Sequence, residues 1–136
     1  MQPKELPIGY WLKKADNLLT KGIDAIQLKF GIDRTIWQLL NLMNGKNSLA
    51  KADLSKLMQP FADENAIAAI LAKLEEKDLI EEQEQSWRLT PKGAALHKAC
   101  FEEQKIFRQK STRSISAAEY HTTLLTLKKL VENLEA

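Results

Sequence analysis

Asn65, Ala68, Ala69 and Lys73 share one side of a stretch whose other side is Ile67, Ile70, Leu71 and Leu74. A carboxamide can pair bidentately with an adenine edge, and a lysine can meet guanine or phosphate. A small alanine lets a helix come close to a groove and touch a thymine methyl. Ala72 and Glu76 extend the same side. These residues also suit an ordinary solvated face, since most are good helix formers. Taken alone, they leave both readings open.

Lys46, Lys51, Lys56, Arg88 and Lys92 are cations outside this stretch that could hold phosphates. A single lysine is more often only a surface charge. Against them stands the segment EEQEQSWRLT, Glu81 to Thr90, with Glu81, Glu82 and Glu84 but only Arg88. Carboxylates beside a duplex repel it over a Debye length of about 8 Å at physiological salt. Arg88 is therefore the one residue of that segment expected to reach phosphate.

Other constellations are thin. His97 and His121 lack ligand-like spacing to one another, so no zinc site is expected. His97, Cys100 and Phe101 share a helical face, which reads either as the border of a ligand pocket or as core. For a lone cysteine the second is commoner. There is no glycine-rich phosphate loop, no Ser/His/Asp set and no paired-carboxylate signature. No enzyme, cofactor or metal is expected.

The elements that must position these residues follow from periodicity and caps. Ile8, Leu12, Ala15, Leu19 and Ile26 recur at helical spacing over 8–30, and Gly31 stops that helix. Asp33 caps a helix with Ile36, Trp37, Leu39, Leu40 and Met43, in which Trp37 should be buried against Leu40 and Leu71. A short helix follows at about 50–58. Asp63 caps the next, at about 64–77. After Asp78 the period shortens, and Leu79–Glu82 and Ser86–Leu89 read as strands linked by QEQ. Thr90 and Pro91 open a helix to about Lys110. Ser116 and Glu119 form a capping-box pattern for the last helix. The order predicts a mainly α fold: a winged helix-turn-helix lobe at 33–90 with a short β-hairpin wing, between helical arms at 8–30 and 94–136.

The arms carry seams of their own. Ala117, Tyr120, Leu124, Leu127, Val131 and Leu134 are spaced 3, 4, 3, 4, 3, as in an a/d seam. Ile8, Leu12, Ala15, Leu19, Gly22 and Ile26 alternate 4 and 3. Packing within one chain explains much of this, but a small lobe has limited surface for two such stripes. A homodimer through Leu12, Leu19, Leu124, Leu127, Val131 and Leu134 accounts for both.

With 44% hydrophobic residues, the 136-residue chain can bury a core as one domain. One cysteine excludes an intrachain disulfide. No apolar run nears the ~20 residues of a membrane span, and MQPKELPIGY lacks a signal-peptide core, so a cytoplasmic protein is expected. Charge is uneven. Residues 44–93 hold seven Lys/Arg against nine Asp/Glu, whereas 1–43 hold six against four and 94–136 seven against five.

Several segments resemble the MarR family of winged-helix transcriptional regulators, across nearly the whole chain 1–136. FGIDRTIWQLLNLM is similar to the family's second helix. AIAAILAKLEEKDLIEE is similar to its recognition helix running into the wing. WRLTPKGAAL resembles the second wing strand with its Leu-Thr-x-x-Gly exit, and SISAAEYHTTLLTLKKLVENL the terminal dimerisation helix. The resemblance implies a homodimer on a near-palindromic double-stranded operator, often released by a small molecule or an oxidant, and it favours the DNA reading of Asn65 to Lys73. The chain departs from the family twice. Asp78 replaces a usual glycine, in a left-handed geometry that aspartate tolerates. The wing is truncated to EQEQS, without the family's Asp-Arg tip, so that minor-groove contact does not carry over. The alternative is a winged-helix dimer that has lost DNA binding and acts through protein contacts, which the acidic middle would suit.

Overall fold

Polar caps begin the helices where the chain offers them. In the computed structural model, which describes residues 5–45 and 48–136, Asp33 Oδ1 accepts from Ile36 N (2.9 Å) and starts α2, Arg34–Met43. Asp63 Oδ1 accepts from Ala66 N (2.8 Å) and starts α4, Glu64–Glu76. Thr90 Oγ1 accepts from Gly93 N (3.0 Å) and starts α5, Pro91–Ser111. Ser116 and Glu119 form the reciprocal capping box of α6, Ala117–Glu135. Each such cap satisfies backbone donors that a bare helix start would orphan. The remaining helices are α1, Ile8–Lys29, and α3, Lys51–Met58. Gly31 ends α1 at φ +74, which lets Ile32 N–H donate back to Gln27 O (3.1 Å).

The small sheet has three antiparallel strands in the order β1-β3-β2. β2 is Ile80–Gln83 and β3 is Ser86–Leu89. The first wing strand is thus one residue later than the sequence reading placed it. β1, Leu49–Ala50, was not legible at all; it pairs Leu49 with Trp87 and Ala50 with Ser86. The wing turn is Glu84–Gln85, two residues rather than the expected three, because Gln83 pairs directly with Ser86. Glu84 supplies the left-handed φ (+55) that glycine or asparagine usually supplies. Asp78 takes φ +61, so the turn survives without its glycine.

Core residues come from every part of the lobe: Ile32, Trp37, Leu39, Leu40, Met43, Leu54, Met58, Ile67, Leu71, Leu74, Leu79, Ile80 and Trp87 form one cluster, closed by Cys100 from α5. α1 packs along α5. Its seam divides between two roles. Ile8, Leu12 and Leu19 are exposed, whereas Gly22 lies under the Phe107 ring, so close that a Cβ would meet Phe107 Cζ at 2.2 Å. The lower half of that seam is therefore packing within the chain. α6 buries none of its residues.

Gly93 locks the wing to α5. A Cβ there would lie 1.9 Å from Leu79 O, a backbone atom already accepting from Thr90 N (3.1 Å). Gly93→Ala should gain about 1 kcal/mol of helix propensity. The overpacking penalty is about 1–3 kcal/mol or more, and it falls on backbone that cannot swing away. Net destabilisation is expected in a urea melt; an unchanged midpoint would mean the wing base yields freely.

Candidate nucleic-acid interface

On α4 the buried line is Ile67, Leu71 and Leu74, with Ile70 half-buried beside it. Successive residues step about 100° around a helix. Asn65, Ala69, Ala72 and Glu76 therefore face most directly away from the core, and Ala68 lies to one flank. All five are exposed. Apart from Glu76 at its C-terminal end, the outward side carries no bulky group, so it can approach a groove closely. Lys73 is exposed on the other flank. There it borders a cleft of about 410 Å³ with Lys77 and Lys92, walled by Phe30, Ile36, Ile70 and Leu96. Lys92 Nζ donates to Lys77 O (3.2 Å). Lys56 is exposed on α3, along a groove that includes Asp63 and Glu64 at the start of α4. Lys46 lies outside the described residues.

The wing pairs two of its glutamates with neighbouring cations. Glu81 and Arg88 are directly paired across β2 and β3, and Arg88 Nε donates to Glu81 Oε1 at 2.6 Å. Lys51, just after β1, reaches Glu82 Oε1 at 2.6 Å. Its Nζ also lies 5.2 Å from the centre of the Trp87 ring, and its N–H donates to Gln85 O (2.9 Å). Two of the cations expected to meet phosphate are thus held by the wing's own glutamates. Such half-exposed pairs contribute about 0.2–1 kcal/mol each, so they are easily exchanged. Among the described residues Glu84, at the turn, makes no ion pair.

On α5 the His97 face is buried at His97 and Cys100, while Phe101 stays exposed. His97 is buried and its ring stacks on Trp37 (centroids 4.6 Å, planes 8° apart), while Nε2 lies 2.7 Å from Asn41 Oδ1. Phe101 stacks more loosely on the other side at 6.3 Å. Burial lowers the His97 pKa below 6.5. The unfolded chain therefore binds the proton more readily, and stability should fall as pH drops from about 6.5 toward the lowered value. Thermal melts from pH 7.5 to 5 should show the loss, and His97→Gln should remove that slope; an identical slope in both proteins would assign it elsewhere. Cys100 is fully buried, and burial, partly offset by a hydrogen bond from Gln104, pushes its thiol up. It is an inert core residue. His121 is exposed on α6.

A cleft of about 380 Å³ opens between α1, α2 and α5, lined by Gln27, Trp37, Asn41, Gln104, Arg34 and Arg108, among others. Gln27 is buried, and its Nε2 donates to Gln104 Oε1 (3.4 Å). Its own Oε1 has no hydrogen-bond partner among the described residues. No helix of the described residues is long and apolar enough to cross a membrane, and no three of their His, Cys, Asp or Glu side chains gather as metal ligands.

No family model matches the chain, and no curated protein matches it in sequence. Many solved structures share its fold. The MarR family protein Rv2887 of Mycobacterium tuberculosis, in complex with DNA, is 21% identical with a TM-score of 0.69, over 93% of this chain and 98% of that one. MepR, a transcription regulator of the Staphylococcus aureus multidrug efflux pump MepA, is 19% identical with a TM-score of 0.74, over 95% and 99%. The reduced form of MarR from Escherichia coli is 20% identical with a TM-score of 0.68, over 92% and 93%. Rv2887 has also been solved with salicylic acid. The likeness is one of fold: the winged-helix architecture of MarR family regulators.

Proposed function

We propose that this chain is a dimeric DNA-binding transcriptional regulator, not an enzyme, that sets α4 into the major groove of a near-palindromic operator. The carrying observation is the outward face of α4, where Asn65, Ala69 and Ala72 stand exposed opposite a buried apolar line. A fold shared with a protein solved on DNA supports the same reading. Asn65, with Ala68 and Ala69, reads base edges. Lys56 and Lys73 hold backbone phosphates from either flank. The helical arms at 8–30 and 94–136 join two copies and set the spacing of the two lobes, each formed by 33–90. A small-molecule effector suits the cleft lined by Trp37, Gln104, Arg34 and Arg108. The salicylic acid complex of Rv2887 supports such an effector.

A second reading is a winged-helix dimer that works through protein contacts. It is favoured by one observation, the pairing of Lys51 and Arg88 with wing glutamates. Titration of random and selected duplexes against salt separates the two. A DNA binder weakens with a log–log slope of about −0.9 per phosphate neutralised. Asn65→Ala should weaken binding to a selected duplex more than to a random one, whereas Lys73→Ala should weaken both about equally. A protein with no retention at low salt on any duplex belongs to the second reading.

A further inference from the structure

Resting on the DNA-binding reading, we propose that Glu81 and Glu82 are specificity-determining residues, acting as built-in occupants of the wing cations Arg88 and Lys51. Both contacts are specific in geometry. Glu81 sits directly opposite Arg88 in the strand register and takes its Nε at 2.6 Å. Glu82 takes Lys51 Nζ at 2.6 Å, and Lys51 is further fixed by its N–H on Gln85 O and by the Trp87 ring. A carboxylate presents charged oxygens to these cations much as a backbone phosphate does. All four side chains remain partly open to solvent, between 35% and 47% exposed. A duplex can therefore displace the glutamates, but it must compete with them.

The consequence falls unequally on different duplexes. A random duplex depends almost entirely on phosphate contacts, so occupied wing cations remove part of its only attraction. A duplex matched to α4 has base contacts as well and can drive the exchange. The occupants lower the background more than the signal. Glu84 provides an internal control, because it carries the same charge in the same hairpin yet pairs with no cation among the described residues.

The test is a double-mutant cycle read by fluorescence anisotropy on labelled random and selected duplexes at several salt concentrations, with melting temperature as the check on folding. Glu81→Gln and Glu82→Gln should each tighten binding to random duplex by about two- to fivefold. Each should steepen the log–log salt slope by about 0.9. The gain from Glu82→Gln should vanish in a Lys51→Met background, and that from Glu81→Gln in an Arg88→Met background. Glu84→Gln should leave the salt slope unchanged. Gains that persist in those backgrounds, or that Glu84→Gln reproduces, would mean simple repulsion and overturn the proposal while leaving DNA binding intact. If neither the natural chain nor the Glu81→Gln/Glu82→Gln variant is retained on any duplex at low salt, the DNA-binding reading falls and this inference with it.

Discussion

Replacing Trp37 by alanine is expected to lower the free energy of unfolding by about 3–5 kcal/mol. The indole is 6% exposed and belongs to the core cluster with Leu40 and Leu71. It also covers one face of the His97 imidazole, in near-parallel contact at 4.6 Å. Truncation therefore does two things. It leaves a cavity that α2 and α5 cannot both collapse into, and it admits water to a ring whose pKa is lowered by burial. The first effect should appear as a lower urea midpoint with an unchanged m-value. The second should appear as a His97 titration moving back up toward 6.5, followed by NMR of its ring protons. Trp37→Phe keeps an aromatic face over His97 and should lose less of both. An alanine variant with an unchanged midpoint would mean that α2 does not build this core.

That stack was half legible in the sequence. The apolar positions of α2 demand burial, so Trp37 belongs inside the lobe. His97 was placed on a face with Cys100 and Phe101, but which residue that face met depends on how α5 crosses α2, and one helix's periodicity carries no such information. The caps show the opposite case. Asp33, Asp63, Thr90 and Ser116 each act on a backbone donor only three residues away, so a local pattern is enough to find them. β1 is not legible in the sequence because two residues establish no period; it exists only because Trp87 and Ser86 are there to pair with it.

The candidate interface divides in the same way. The outward face of α4 follows from the 3.6-residue repeat and was readable before the fold was known. The ion pairs of the wing were not, because they depend on register. Glu81 meets Arg88 only if the turn is two residues long, and that requires Glu84 at a positive φ, where the sequence offers none of the usual turn residues. A slip of one residue would send Arg88 to the other face of the strand. The wing's charge was thus legible as composition, whereas its neutralisation arises from three-dimensional pairing. Gly22 carries a related lesson: it continues a heptad-like spacing from Leu19, yet its partner is Phe107 of the same chain.

What remains of the seams after that division points to a second copy. On α6, Leu124 is 50% exposed, Val131 48% and Leu134 79%, and no residue of the helix is buried. In proteins most helical stability comes from packing an amphipathic face, and within one chain α6 buries no residue. Leu12 and Leu19 on α1 are likewise exposed. The paired change Leu127→Asp and Leu134→Asp is therefore expected to give monomers. Each buried leucine that is truncated loses about 2 kcal/mol or more. A twofold axis presents each position twice, so the dimer loses roughly 8 kcal/mol. That is enough to move a nanomolar dimer to about millimolar affinity, before any cost of burying the new carboxylates. Light scattering at micromolar concentration should report one chain. Circular dichroism should lose part of the α6 helicity while Trp37 fluorescence keeps its buried character, because the core of the lobe lies elsewhere. Leu57→Asp, at an exposed leucine on α3, should leave the dimer unchanged. A Leu127→Asp/Leu134→Asp protein that still scatters as a dimer would place the assembly on some other surface and leave the α6 seam without a role.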